Sequence, residues 1–267
     1  MYYKQNDYGV KYPTLMNIDN LRDLGGIHLV NGRVIRDGMI FRSGALYGLS
    51  DYDKAELDKL GLDDVFDLRS YDEVEYKPDY VPQGATYYNI PAVKTHGSLV
   101  VKQDKVVKMI PTWLPSGVSK WAFRLRFKHL YRKFPFRNKA YAKMFEVMDN
   151  GDRFLFHCTA GKDRTGVASM LILLALGADI DTVKNDYMLS NFYRVKSNEQ
   201  LNKQFEHYKH YNKYRKIFKV ANNVELRFFN SAYNKIIKKY KTVKEFLFKE
   251  YNIDDNRVNN WLQLYTC

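Results

Sequence analysis

His157-Cys158-Thr159-Ala160-Gly161-Lys162-Asp163-Arg164-Thr165-Gly166 lies between a short apolar run, Arg153-Phe154-Leu155-Phe156, and a longer one, Val167 to Leu176. Asn150-Gly151-Asp152 precedes the first run as a turn, and Gly177 closes the second. The first run reads as a buried strand and the second as a core helix ended by glycine, since about ten apolar residues cannot span a bilayer. In a strand, tight loop and helix arranged this way, successive backbone N–H groups turn inward and the helix N-terminus adds partial positive charge. A dianion meets dipoles already in place.

Each residue type in the loop then has a chemical use. Cys158 would attack phosphorus as a thiolate, its pKa lowered from roughly 8.5 by the helix end and by Arg164 and Lys162. Arg164 offers a planar fork of donors that matches two phosphate oxygens through the transition state, which a flexible lysine does less well. Thr165 can give its hydroxyl to the sulfur, easing departure of the thiolate when water hydrolyses a phosphocysteine. Gly161 allows close backbone approach to the ligand, and Gly166 leaves room in the first helical turn for packing. With Thr159, Ala160, Lys162 and Asp163, these residues would line the phosphate. The bland reading, a small buried hydrophobe beside a surface cation, leaves the joint pattern and its flanks unexplained.

The loop, together with Asn20-Leu21-Arg22-Asp23-Leu24-Gly25-Gly26, Phe41-Arg42-Ser43-Gly44-Ala45-Leu46 and Phe66-Asp67-Leu68-Arg69-Ser70, resembles the bacterial tyrosine/serine protein phosphatase family with a Lys-Asp-Arg loop. The likeness continues through Asn185-Asp186-Tyr187-Met188-Leu189-Ser190-Asn191 and around Val224 to Leu247, and it is weakest over residues 97–140. It implies a cysteine-phosphatase-like fold. It also implies action on phosphotyrosine, often on phosphoserine or phosphothreonine, and in some members on phosphoinositides.

The general acid is less direct. Ordinary tyrosine phosphatases carry it on a Trp-Pro-Asp loop, and no such tripeptide occurs here; Trp113-Leu114-Pro115 comes nearest and lacks a carboxylate. The resemblance favours Asp163, inside the loop, whose competing role is a salt bridge that orients Arg164. Asp67 is the alternative, because it ends a predicted strand, Asp64 to Leu68, where open α/β sheets place their sites. Its competing role is a turn or a pair with Arg69.

Composition bounds the remainder. The 267 residues are 45% hydrophobic with seven prolines, which suits one globular domain, 1–267, with a sizeable core. No run approaches the roughly 20 apolar residues of a membrane span, and Met1 to Asn6 lacks a secretory core. The two cysteines, Cys158 and Cys267, make a poor disulfide framework, and pairing them would disable the nucleophile. Both points favour a reducing cytoplasm, with export to a host cell left open. No cofactor is needed, and His207 and His210 lack the partners of a zinc site.

Short strands with a helix from about Asp51 to Leu60, capped by Ser50 and ended by Gly61, occupy residues 1–96; Val34-Ile35 and Met39-Ile40-Phe41 read as a hairpin. The alternation predicts an α/β fold, a mainly parallel sheet with helices on both faces. From about residue 179 the pattern is helical, including a C-terminal extension, 201–267, in which Phe205, Tyr208, Tyr211, Tyr214 and Phe218 form a packing stripe.

The net charge of +13 is uneven. Residues 101–140 hold eleven Lys/Arg and one acid, residues 201–244 hold twelve and two, and the rest carries 20 against 27. Two basic helical segments on an acidic body point to an anionic partner. Within Trp121 to Phe134, Trp121, Leu125 and Tyr131 are expected inward, with Arg124, Lys128 and Arg132 as a basic row. This insertion, 97–140, reads as a helix packed on the domain, as a lid over the site, or as a contact for an anionic membrane surface. Nucleic acid stands last, since no recognised binding module appears. The function expected is a metal-free phosphatase for phosphotyrosine protein or phosphoinositide substrates; a phosphate- or lipid-binding module of the same fold is the alternative.

Overall fold

The computed structural model describes residues 3–5, 11–13, 17–93, 116–206 and 211–267. Trp113-Leu114-Pro115, the first part of the basic insertion (97–115), His207 and His210 lie outside them, as do the side chains of Phe205, Tyr208, Tyr211 and Tyr214.

A five-stranded sheet runs in the order β3 (Arg22–Asp23), β4 (Ile40–Ser43), β7 (Phe154–His157), β5 (Asp64–Asp67), β6 (Thr86–Asn89), and a separate antiparallel pair joins β1 (Tyr3–Gln5) to β2 (Lys11–Pro13). Four of the five strands are parallel, and only β3 runs antiparallel to its neighbour β4. β7 is central and buried on both faces, which is why its sequence is a continuous apolar run. Successive residues point to opposite faces, so Phe41, Leu155 and Val65 form one row under α1 (Asp51–Asp58), with Leu57 and Leu60. Ile40, Phe154, Phe156 and Phe66 face the larger core beneath α4 (Lys139–Met148) and α5 (Arg164–Leu176). The last register row is Ser43, His157 and Asp67, so the loop after His157 emerges where three strands end together.

Ser50 caps α1 through its hydroxyl, and Gly177 ends α5 in the left-handed region, as the residue types demand. Almost every residue of α5 is buried, as expected of a helix apolar all round. The expected hairpin around Arg36-Asp37-Gly38 does not form. Val34 bridges His28, Ile35 bridges Thr266, and β4 takes β3 as its antiparallel partner, because both strand edges have longer-range neighbours.

The helical part comprises α2 (Tyr71–Tyr76) beside the sheet, α3 (Ser116–Tyr131), then α6 (Ile180–Tyr193), α7 (Val195–Glu206), α8 (Tyr211–Asn222), α9 (Leu226–Tyr240), α10 (Val243–Tyr251) and α11 (Asp255–Tyr265). α3 packs between α8 and α9. Its inward residues are Phe123, Phe127 and Tyr131, stacked toward Phe228; Trp121 and Leu125 point outward, against expectation. Phe123, Phe127 and Tyr131 recur every four residues, and that row wins the buried side. No described helix is long and apolar enough to cross a membrane.

Candidate active site

The loop from Thr159 to Asp163 closes at the start of α5, with Asp163 as N-cap residue. Among the described residues, no backbone N–H from Thr159 to Arg164 donates to a protein acceptor. These groups are therefore free for an anion at the N-terminus of α5.

The buried sulfur of Cys158 lies at the bottom of the loop. Burial pushes its pKa up, but the charge of Arg164 and the hydroxyl and N–H of Thr165 outweigh that, so the net shift is downward. Thr165 Oγ1 is buried without a hydrogen-bond partner among the described residues, which leaves its proton available to the sulfur.

Glu73, the third residue of α2, holds Arg164. Its Oε2 accepts from Arg164 Nη1 at 2.8 Å and its Oε1 from Nη2 at 2.9 Å, and Thr159 Oγ1 donates to Oε1 at 2.7 Å. Ser70 N donates to Glu73 Oε2 at 2.9 Å, which ties the carboxylate to the start of α2. Burial acts against the Glu73 anion, yet the Arg164 fork brings its pKa down to about 2. Burial likewise opposes the Arg164 cation, and the thiolate and Glu73 raise its pKa above the ordinary value. One donor on each terminal nitrogen meets Glu73, and the further contacts, Nη1 to Leu68 O at 3.4 Å and Nη2 to Thr159 Oγ1 at 3.3 Å, are long ones that phosphate oxygens could replace.

A second buried network supports the far side of the loop. Gly161 O accepts from Asn20 Nδ2 at 2.7 Å and from Arg42 Nη2 at 2.9 Å. Arg22 Nε donates to Asp186 Oδ1 at 2.9 Å, Arg42 Nη1 pairs with Asp186 Oδ2, and Ser169 Oγ donates to the same oxygen at 2.7 Å. Burial raises the Asp186 pKa, but Arg22 and Arg42 bring it down to about 2. Two cations against one anion leave net positive charge behind Cys158. Gly161 adopts φ +62°, and a Cβ there would meet Ser43 O at 2.3 Å, so glycine is required by the end of β4 rather than by the ligand. Gly166 faces the Tyr187 ring, where a Cβ would lie at 2.9 Å, as the packing role anticipates.

Asp163 and Asp67 have different surroundings. Asp163 Oδ1 accepts from Tyr131 Oη at 2.5 Å, Oδ2 accepts from Lys162 Nζ at 2.6 Å, and the Tyr131 and Tyr187 hydroxyls are 2.9 Å apart. Its side chain keeps 23% exposure, so it faces the open side of the loop. The basic insertion thus reaches the loop through the last residue of α3. Asp67 is fully buried, accepts from Arg69 Nε at 2.9 Å and Nη2 at 2.6 Å, and accepts from Tyr87 Oη at 2.7 Å. Burial resists ionisation of Asp67, but His157 and Arg69 hold its carboxyl well below the usual range.

Asp67, Asp79 and His157 lie within 4.8 Å of one another and could present ligands to a metal ion. Arg69 already stands between the two acids, bonding Asp79 Oδ2 at 2.5 Å, and supplies the positive charge a metal would bring. His157 lies against this pair, its Nε2 3.3 Å from Asp79 Oδ2, with neither ring nitrogen in hydrogen-bond geometry to a described group. Burial pushes Asp79 up to about 6 despite His157 and Arg69.

Sequence reasoning missed Glu73, Asp79, Tyr131 as a partner of Asp163, and the pairing of Asp186 with Arg22 and Arg42. Only Glu73 carried a local signal, the Ser70-Tyr71-Asp72-Glu73 spacing of a capping box.

Residues 13–266 match the sequence model of the tyrosine phosphatase family. A Cupriavidus necator protein named for tyrosine-protein phosphatase activity is 36% identical over 183 residues, 68% of this chain and 64% of the relative. The triple specificity protein phosphatase PtpB of Mycobacterium tuberculosis is 31% identical over 206 residues, 70% of this chain and 73% of its own. A tyrosine-protein phosphatase of Nostoc commune is 26% identical over 154 residues, covering 57% and 48%. The chain thus spans about two thirds of the first relative's length and about half of the third's.

Proposed function

The chain belongs to the tyrosine phosphatase family, and from that premise we propose that it hydrolyses phosphotyrosine in proteins through a phosphocysteine on Cys158. The observation that carries the reading is the buried Cys158 sulfur, its pKa lowered, beneath unengaged loop amides, with Arg164 set beside it by Glu73. Cys158 Sγ forms a bond to phosphorus as the bond to the phenolic oxygen breaks, and the protonated Asp163 carboxyl gives that oxygen its proton. Water then attacks phosphorus and loses a proton to Asp163, and the sulfur leaves as a thiolate stabilised by Thr165 and Arg164. Asp163 is preferred to Asp67 because it faces the open side of the loop, whereas Asp67 is buried and held as an anion. Lys162, Thr159, Ala160 and Gly161 complete the phosphate cradle.

Phosphoserine, phosphothreonine and phosphoinositides form a second reading. It is favoured by Lys162 beside the loop and by the triple specificity in the name of the Mycobacterium tuberculosis relative. The nucleophile must stay reduced, which favours the cytoplasm. Phosphate release from a panel of phosphotyrosine peptides, phosphoserine peptides and phosphoinositides, with Cys158→Ser as blank, tests the assignment. Phosphotyrosine turnover is the expected result, and release from lipid alone would reverse the ranking.

A further inference from the structure

The outward face of α3 is not used by the site. Val118, Trp121 and Leu125, three and four residues apart and therefore on one side of the helix, are 46%, 63% and 43% exposed. One to two turns further along, the same side carries exposed His129 and, just past the helix end, Arg132, with exposed Arg126 and Lys133 along its edge. The helices on either side of α3 present cations as well: Arg215, Lys216 and Lys219 are exposed on α8, and Lys235, Lys238 and Lys239 on α9. None of the three helices contains an Asp or Glu. The described carboxylates that reach these helices from neighbouring elements are engaged: Glu225 by Arg124 and Arg227, Glu250 by Lys239, and Asp163 by Tyr131 and Lys162. On the α8 side, Lys120, Lys216 and Lys219 line a cavity of about 420 Å³ and add to the same positive field.

A large aromatic and two aliphatic side chains among cations, on three helices without an acidic residue of their own, complement a surface whose outer charge is negative and whose interior is apolar. We propose that this face of α3 docks on an anionic lipid bilayer, with Val118, Trp121 and Leu125 entering the headgroup region and the flanking cations lying over lipid phosphates. The docking face and the loop are joined by one helix. Tyr131, about 15 Å along α3 from Trp121 at 1.5 Å per residue, donates to Asp163 in the loop. Docking is independent of which phosphoester is cleaved.

The test mixes the purified full chain with vesicles of phosphatidylcholine, alone or with about 30 mol % phosphatidylserine, and measures bound protein by sedimentation. Hydrolysis of p-nitrophenyl phosphate without vesicles reads the catalytic loop separately. Docking predicts binding to the anionic vesicles only, weakening as salt rises. Trp121→Asp and Leu125→Asp should each bind at least about tenfold more weakly, and Arg126→Gln and Arg132→Gln each about fivefold more weakly. All four should keep wild-type hydrolysis of p-nitrophenyl phosphate. Absence of binding to the anionic vesicles overturns the proposal, as does binding that Trp121→Asp and Leu125→Asp leave unchanged. Self-association abolished by Leu125→Asp would also overturn it, by assigning the face to a second copy of the chain.

Discussion

Replacing Tyr131 by Phe removes one hydroxyl and tests whether α3 positions the acid. That hydroxyl donates to Asp163 at 2.5 Å from a fully buried ring, so the bond becomes charge-assisted, shielded from water, as the acid gives up its proton in the transition state. Such bonds contribute about 1.5–3 kcal/mol. Were all of it realised in the transition state, the loss would be roughly 10–150-fold in rate. Asp163 keeps Lys162 at 2.6 Å, which favours the lower end, about tenfold on phenyl phosphate. With p-nitrophenyl phosphate the leaving group needs little protonation, and the variant should stay within about threefold of wild type. The Tyr187 hydroxyl also loses its partner, so urea unfolding should show a cost of about 1–3 kcal/mol. Stability loss alone cannot distinguish leaving groups. Steady-state kinetics on the two substrates, at a temperature where the variant is folded, therefore isolate the positioning role. Equal losses on both substrates, or no loss on either, would refute the reasoning.

Other perturbations bear on the same site. Arg164→Lys should lower kcat/KM for p-nitrophenyl phosphate by about 10²–10³, because an ammonium cannot keep both Glu73 and the phosphate in one plane. Glu73→Ala leaves the Arg164 guanidinium buried and unpaired and should cost about 3–5 kcal/mol in urea unfolding. Glu73 and Asp186 both titrate lower in the folded chain than in the unfolded one, near 2 against ordinary values of 4.5 and 3.8. The unfolded chain therefore binds more protons between those limits, and stability should rise with pH across that window. Glu73→Gln and Asp186→Asn should each flatten the rise. The lowered Cys158 pKa places the acid limb of kcat/KM below that of an ordinary thiol, and Thr165→Ala should move the limb upward in a pH-rate profile.

The loop after β7 and the central strand were legible as structure because their signals are local. An apolar run, a turn of small and charged residues and a second apolar run specify strand, loop and helix without distant partners. The parallel order followed from the alternation of elements, since parallel strands need crossovers. The hairpin at Arg36-Asp37-Gly38 failed because turn chemistry says nothing about which edge a strand will pair with, and Thr266, some 230 positions away, claims Ile35. The orientation of α3 failed for a related reason. Trp121, Leu125 and Tyr131 form an apolar set, and so do Phe123, Phe127 and Tyr131; only the position of Phe228 on a later helix decides between them. The Arg22, Arg42 and Asp186 network joins residues separated by 164 and 144 positions, so the quoted motifs named its members but not their bonds.

The central claim is that one sulfur carries the phosphoryl group. The direct measurement is rapid acid quench of the enzyme during turnover of p-nitrophenyl phosphate, followed by peptide mass spectrometry across the loop. One added phosphoryl group on the peptide containing Cys158, absent from Cys158→Ser, is the predicted result. Turnover with no such adduct at any quench time, together with undiminished hydrolysis by Cys158→Ser, would contradict the account.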